Sequence, residues 1–245
     1  MVKASIENGI LQDFIGQATP LMDEARLHFE EGELWMSGVD PADVGMVDTS
    51  LSADAFESYG SDGTVIGVNI NRLEDVLDMG GRKSTTSLAT EDGHTLKITA
   101  DGVEYTLACT DTASIRSEPE MPDLELPNEF EVEWNHIEQG ITAGKMVSDH
   151  ITIEGDTEGA VLIRAAGDTD DVVKRLVDEL QQLNIGEDAS SIYSLDFMEC
   201  FSRGVPDSDT QVAFYHGQNF PLRMEFGYAD GHGDCVFIVA PRIES

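Results

Sequence analysis

The side chains in this sequence with the greatest capacity for chemistry are carboxylates. Acidic pairs recur along the chain, for example Asp170/Asp171 and Glu118/Glu120. Two carboxyl groups at the right separation can hydrolyse a glycosidic bond, one as acid and the other as base or nucleophile. With 48 Asp and Glu among 245 residues, such pairs arise everywhere, and each is more readily a solvated face than a dyad. His232 and Cys235 share a turn, but two candidate ligands do not make a zinc site, and no metal is expected. The other histidines, His28, His94, His136, His150 and His216, are scattered. No GxxxxGKS/T or GxGxxG loop occurs, nor HExxH, GxSxG or CxxC. Catalysis has little support and no cofactor is expected. A salt-adapted hydrolase using paired carboxylates stands as the enzymatic alternative.

The acids matter more collectively. Against them stand 14 basic residues, for a formal net charge of -34. The acids are spread over nearly every block of ten, and only five residues are lysine. Self-repulsion of this size opposes a compact state unless salt screens it, and at about 1 M salt the screening length shrinks to roughly 3 Å. A dispersed acidic surface over an ordinary core, with 40% hydrophobic residues, points to a very saline cytoplasm. Cys109, Cys200 and Cys235 are odd in number and far apart, which suits buried thiols in a reducing compartment. No run approaches the roughly 18 apolar residues of a membrane span, and the first residues have no signal-peptide pattern; no membrane partner is expected.

The elements that must position any site follow from periodicity. Gly9–Ala18 carries a helical stripe of Ile10, Leu11, Phe14 and Ile15, with Pro20 just beyond. Strands are predicted at Ala25–Phe29, Glu33–Met36, Val44–Leu51 and Thr64–Asn69, and a short helix at Asn71–Met79. Ser84–Thr90, Thr95–Ala100 and Val103–Thr110 read as a meander, turning at Asp92-Gly93 and Asp101-Gly102. Later, Phe130–Trp134 is a strand and Asn135 a candidate cap for a helix reaching about Met146. Strands follow at Asp149–Glu154, Ala160–Ala165, Val172–Val177 and Ser191–Leu195, with Gln181–Ala189 a polar loop. Asp196–Gly204 is a helix, and Gln211–His216, Leu222–Tyr228 and Cys235–Ala240 close the chain as a meander.

Between these halves lies Ser117-Glu-Pro-Glu-Met-Pro-Asp-Leu-Glu-Leu-Pro127, with prolines at Pro119, Pro122 and Pro127. Proline removes a backbone donor and biases its predecessor towards extended backbone, so the run joins neither helix nor central strand. Its apolar Met121, Leu124 and Leu126 exceed what a spacer needs. The order strand, helix, several strands, helix, three strands occurs on both sides of this strap. The reading is an α+β fold of two similar domains, 1–116 and 128–245, joined by a connector at 117–127.

Several segments, in order, carry a resemblance. Gly38-Val-Asp-Pro-Ala-Asp-Val-Gly-Met-Val47, Phe56-Glu-Ser-Tyr59, Gly67-Val-Asn-Ile-Asn71, the proline-rich strap, Phe220-Pro221-Leu222 and Val239-Ala-Pro-Arg-Ile-Glu244 together resemble the sliding clamps of the proliferating cell nuclear antigen (PCNA) family. The acidic composition makes the chain look like a haloarchaeal clamp or one carried by a virus of such a host. The resemblance implies the DNA clamp fold, with outer β-sheets and short inner helices, and a homotrimeric ring encircling duplex DNA. It also implies DNA polymerase, a clamp loader and other proteins with a PCNA-interacting motif as partners, and a place at the nucleoid.

Site residues follow by the same implication. The partner pocket would be lined by Val39, Asp40, Val44, Met46, Leu124, Leu126, Pro221, Ile238, Val239, Ala240 and Pro241. The subunit seam would join Glu104, Tyr105, Leu107 and Asp111 to Val173, Lys174, Arg175 and Leu176, an arrangement in which head-to-tail contacts close a ring. Phosphate contacts would come from Arg72, Arg82, Lys83, Lys145 and Arg203, although Asp13, Glu74, Asp75, Asp78, Glu138, Asp196 and Glu199 share those helices. Asp43 and Ile238 stand where some family members have a bulkier histidine and tyrosine. A monomeric acidic scaffold that never touches DNA is the third reading.

Overall fold

Each helix of this chain begins by giving a backbone amide to a distant turn. The first amides of a helix have no partner within it. A computed structural model, which describes residues 1–243, shows where they go. The chain divides into two compact units, Met1–Glu120 with Gly227–Cys235, and Met121–Phe226 with Val236–Ser245.

In the first unit, β1 (Val2–Glu7) leads into α1 (Asn8–Gly16), followed by β2 (Glu24–Phe29), β3 (Glu33–Val39), β4 (Gly45–Ser52), β5 (Ser58–Gly60), β6 (Thr64–Asn69), α2 (Ile70–Leu77), β7 (Thr85–Thr90), β8 (Thr95–Ala100) and β9 (Val103–Ala108). One sheet has the order β5-β1-β7-β8-β9; in another, β4, β3, β2 and β6 lie side by side. Val2, Ala4 and Ile6 alternate inward, so β1 is the strand that opens the repeated pattern. The amides of Asn8 and Gly9 donate to the carbonyls of Ser84 (2.7 Å) and Arg82 (2.6 Å), and that of Ile70 to Asp23 (2.8 Å). Buried Asn8 also donates through Nδ2 to the Leu77 carbonyl at the end of α2 (2.9 Å) and accepts from Thr86 (2.7 Å). Helices α1 and α2 pack together, burying Leu11, Phe14 and Ile15 with Leu73, Val76 and Leu77.

The second unit repeats the plan. It contains β10 (Asn128–Glu133), α3 (Trp134–Gly144), β11 (His150–Asp156), β12 (Ala160–Ala166), β13 (Asp171–Leu176), β14 (Gln182–Ile185), β15 (Ala189–Ser194), α4 (Leu195–Gly204), β16 (Gln211–His216), and most of β17 (Leu222–Tyr228) and β18 (Gly233–Val239). One sheet has the order β13-β12-β11-β15, and β14, β10, β16 and β17 are neighbours in another. Trp134 and Asn135 donate to Thr210 (2.9 Å) and Ser208 (2.8 Å), and Leu195 to Asp149 (3.0 Å). These are the counterparts of the bonds at α1 and α2.

The same bonds correct one expectation. Asn135 is not the cap of α3: the helix starts one residue earlier, with Glu133 at its N-cap. A neighbouring loop already satisfies the first backbone amides, so no capping side chain is needed, and the Asn135 side chain donates through Nδ2 to the Glu133 carboxylate instead (3.0 Å). The polar loop expected at 181–189 contains β14. Its alternation, Leu183 and Ile185 against Gln182 and Asn184, spans only four residues and is mostly exposed, too short a pattern to announce a strand. Pairing with β10 defines it, and Asn128 secures its end by accepting from the amides of Gly186 (2.9 Å) and Glu187 (3.2 Å).

Two positions carry testable consequences. Gly67 on β6 lies so close to the chain leaving β9 that a Cβ would come 2.4 Å from the Thr110 carbonyl and 2.7 Å from Ile115. Gly67→Val should lower stability in denaturant unfolding by about 1–3 kcal/mol through overpacking. His216 is fully buried, edge-on to Phe130 at 5.9 Å, and neither ring nitrogen meets a hydrogen-bond partner among the described residues. Burial pushes its pKa down from 6.5 to about 4. The unfolded chain therefore takes up a proton that the folded chain refuses, and stability falls as pH drops from 6.5 to about 4. The loss reaches about 3 kcal/mol. His216→Leu should flatten that part of the stability–pH curve relative to the parent; an unchanged slope would contradict this assignment.

Candidate functional site

The loop between β3 and β4 is folded around one carboxylate. Asp40 is buried; its Oδ2 accepts from the amide of Ala42 (2.7 Å) and its Oδ1 from those of Val44 (2.7 Å) and Gly45 (2.7 Å). A short polar side chain that bonds its own following backbone is what closes a tight turn. The turn carries Asp43 at φ 59°, a left-handed conformation that Asp tolerates better than most residues. Asp40 thus shapes the loop, while Val39, Val44 and Met46 stand half-buried around it.

Beside this loop, a cavity of about 330 Å³ is lined by residues including Met22, Arg26, Gly38, Val39, Pro41 and Ile115. A Cβ at Gly38 would meet Met22 Sδ at 2.2 Å, so glycine there makes room for the methionine. The chain that leads from β9 towards the strap is held to β2 by Arg26. Its guanidinium donates to the carbonyls of Thr112 (2.8 Å), Ile115 (2.7 Å) and Arg116 (2.9 Å) and pairs with Glu118 at 3.2 Å. His28 stacks on Trp35 with ring centroids 3.7 Å apart and bonds the other oxygen of Glu118 at 2.6 Å. Burial alone would raise the Glu118 pKa, but His28 and Arg26 outweigh it and hold the carboxyl below its usual range. From the segment so fixed, Arg116 donates to the Asp40 carbonyl (3.0 Å) and pairs with Asp43.

The remaining residues expected to line a partner pocket lie in the second unit. The strap has no regular secondary structure; Met121, Leu124 and Leu126 are half-buried, whereas Asp123 and Glu125 are exposed. Pro221 follows an exposed Phe220. Its loop is anchored by Ser191, which donates to the Gly217 carbonyl (2.6 Å), and by Tyr193, which donates to that of Phe220 (3.0 Å). Ile238 and Val239 are buried, and Ala240 and Pro241 half-buried. Of the motif ending the resemblance, Glu244 lies outside the described residues.

The two candidate seam strands are both sheet edges: β9 ends one sheet and β13 another. Leu107 and Leu176 point into their own cores, while Val103 and Val173 are half exposed at 50% and 51%. Glu104, Asp111 and Arg175 are exposed and Tyr105 partly so. Lys174 is engaged within its own chain, donating to Gln139 (3.1 Å) and lying 3.7 Å from Glu179.

The candidate phosphate contacts have acidic company. Arg82 forms a two-bond pair with Asp13 at 3.0 and 2.9 Å. Lys145 pairs with Glu199, which also lies 3.9 Å from Arg203, and the Glu199 carboxyl is held below its usual range chiefly by its bond to Lys145. Arg72 donates to the Tyr105 hydroxyl (3.1 Å), and Lys83 is exposed. His232 is exposed, while Cys235 is buried, its thiol pushed well up by that burial. Among the described residues, no group of three or more His, Cys, Asp or Glu could hold a metal ion, and no helix is long and apolar enough to cross a membrane. Sequence reasoning did not single out Arg26 or Arg116. Their only signal was the presence of arginine, on a strand and at the root of a strap, in a chain so poor in bases.

The family model for the N-terminal domain of proliferating cell nuclear antigen matches residues 1–129. The chain is 42% identical over 248 aligned positions to the DNA polymerase sliding clamps of Halobacterium salinarum and Haloarcula marismortui, covering 100% of each. Among solved structures it is similar to A. fulgidus PCNA bound to the C-terminal region of FEN-1, with a TM-score of 0.94, 34% identity and 100% of both chains covered. PCNA from Thermococcus kodakaraensis shares the fold at a TM-score of 0.91 and 22% identity, over 99% of this chain and 100% of that one. Nothing in these comparisons supports a paired-carboxylate hydrolase. With four short helices among the described residues and similarity along its whole length, the chain belongs to the proliferating cell nuclear antigen family of DNA sliding clamps.

Proposed function

We propose that this chain is a non-catalytic DNA polymerase sliding clamp: three copies close into a ring around duplex DNA, and a pocket under the connector tethers replication and repair enzymes. Full-length identity of 42% to sliding clamps of salt-loving archaea carries the reading. We read the domains as 1–116 and 128–245, joined by the connector 117–127, and the pocket as the set Val39, Asp40, Val44, Met46, Leu124, Leu126, Pro221, Ile238, Val239, Ala240 and Pro241. The two different edge strands support head-to-tail closure. An unpaired edge invites pairing with another chain, and two unlike edges per copy pair head to tail, which closes a ring when the rotation between copies fits. The exposed Val103 and Val173 supply apolar area for that seam, with Glu104, Tyr105, Asp111 and Arg175 around them.

The DNA surface works differently from simple charge attraction. Arg82, Lys145 and Arg203 each have a carboxylate beside them, and salt further weakens phosphate neutralisation by bases. The ring holds DNA by enclosure, with Arg72, Arg82, Lys83, Lys145 and Arg203 as supplementary contacts and cations screening the acids. The charge of -34 supports a salt-rich cytoplasm, and the clamp reading itself puts the protein near the nucleoid.

Two measurements test this. In molar salt, the particle mass should equal three chains, and Val173→Asp should shift it to a single chain while changing the stability of the subunit by no more than about 0.5 kcal/mol. A single-chain mass for the parent would overturn the ring. Loaded onto DNA at high salt, the clamp should stay on a closed circle and leave a linearised one; equal loss from both would rule out enclosure.

A further inference from the structure

Arg26 and Arg116 form a two-step brace beside the loop between β3 and β4. The Arg26 guanidinium, on β2, is largely buried, at 16% side-chain exposure. It binds three carbonyls of the segment Thr112–Arg116, those of Thr112, Ile115 and Arg116, and the carboxylate of Glu118. Such a cation needs all these acceptors, because a buried charge without partners is costly. The segment therefore has a fixed path, backed by Ile115, which is buried. That path aims Arg116 at the β3–β4 loop, where one amine donates to the Asp40 carbonyl (3.0 Å) and another pairs with Asp43. The planar fork of arginine suits two acceptors at once; lysine is a point charge on a flexible stem. The loop is already wound around the Asp40 carboxylate, so holding its carbonyl and Asp43 holds Val39 and Val44 as well.

We infer that Arg116, presented by Arg26, is a positioning residue for partner binding: it ties the root of the connector to the β3–β4 loop and so pre-sets one wall of the pocket. Binding costs less when the receiving surface is already ordered. Arg116 itself need not touch the partner. The inference rests on the partner-pocket reading above for its functional meaning, but the brace can be measured without a partner.

The test uses the full-length chain in molar salt and a peptide copying the C-terminal region of FEN-1. Arg116→Ala should weaken peptide binding several-fold, mainly through the lost bond to the Asp40 carbonyl and the pre-organisation it gives, with the thermal midpoint nearly unchanged. Arg116→Lys should recover part of the affinity, and Asp43→Asn should weaken binding less than Arg116→Ala. Arg164→Ala, which removes an ion pair with Glu154 elsewhere, should leave affinity unchanged. Amide exchange provides the second readout: the amides of Val44 and Gly45 should exchange faster in Arg116→Ala than in the parent. Parent-like affinity in Arg116→Ala overturns the inference. If the parent itself does not bind the peptide, the pocket reading fails, and exchange alone decides the brace. Unchanged exchange at Val44 and Gly45 then overturns it.

Discussion

The constraint on which this structure depends is that a short helix laid on a sheet must find outside partners for its first amides. All four helices solve it in one way. Ser84 and Arg82 receive the amides that open α1, and Thr210 and Ser208 those of α3; Asp23 serves α2 and Asp149 serves α4. Each bond links a helix to a turn remote in sequence. Helices of eight to eleven residues are marginal alone in water, so these ties and the apolar faces behind them form the helices together. The recurrence of the bonds at matching places in both units is also better evidence of an internal repeat than residue identity.

Charge imposes a second constraint. The chain uses its few bases beside carboxylates: Arg164 with Glu154, Arg223 with Glu225, Lys174 with Glu179, besides the pairs already described. Exposed pairs of this kind contribute little individually and less in salt. Arg26 differs because its acceptors surround it away from water. Where the surface is given over to solvation in brine, fixed geometry is assigned to a shielded guanidinium and to carbonyls, whose bonds to it do not depend on a net-charge balance.

Much of this was legible in the residues. Strands β6, β16 and β17 have the limits read from the sequence, and in β17 the inward series Leu222, Met224, Phe226 and Tyr228 is continuous. The strap declared itself through three prolines. The short helices were visible through stripes such as Leu73, Val76 and Leu77. What escaped was set by long-range contact. Strand β14 is four residues long and mostly exposed, and is defined by pairing with β10. Asn135 looks like a cap until the loop at Ser208–Thr210 is seen to serve the helix instead. Asp40 reads as a pocket wall, yet three amides occupy its carboxylate. Arg26 gave no local sign, because its acceptors lie about 86–90 positions away in sequence.

The division of the chain also bears on how it can be broken. The polypeptide crosses from the first unit to the second in the strap, returns for the hairpin tip Gly227–Cys235, and leaves again. That tip is sewn into the first unit: the Tyr228 hydroxyl donates to the Ser50 carbonyl (2.9 Å), and the Ser52 amide to that of His232 (2.7 Å). A protease nick in the open strap would therefore not set two fragments adrift, since the later fragment keeps its hold on the earlier one. By the same logic, a gene cut at the strap would yield a leading piece with a gap in its fabric, so halves that look interchangeable in outline are not separable modules.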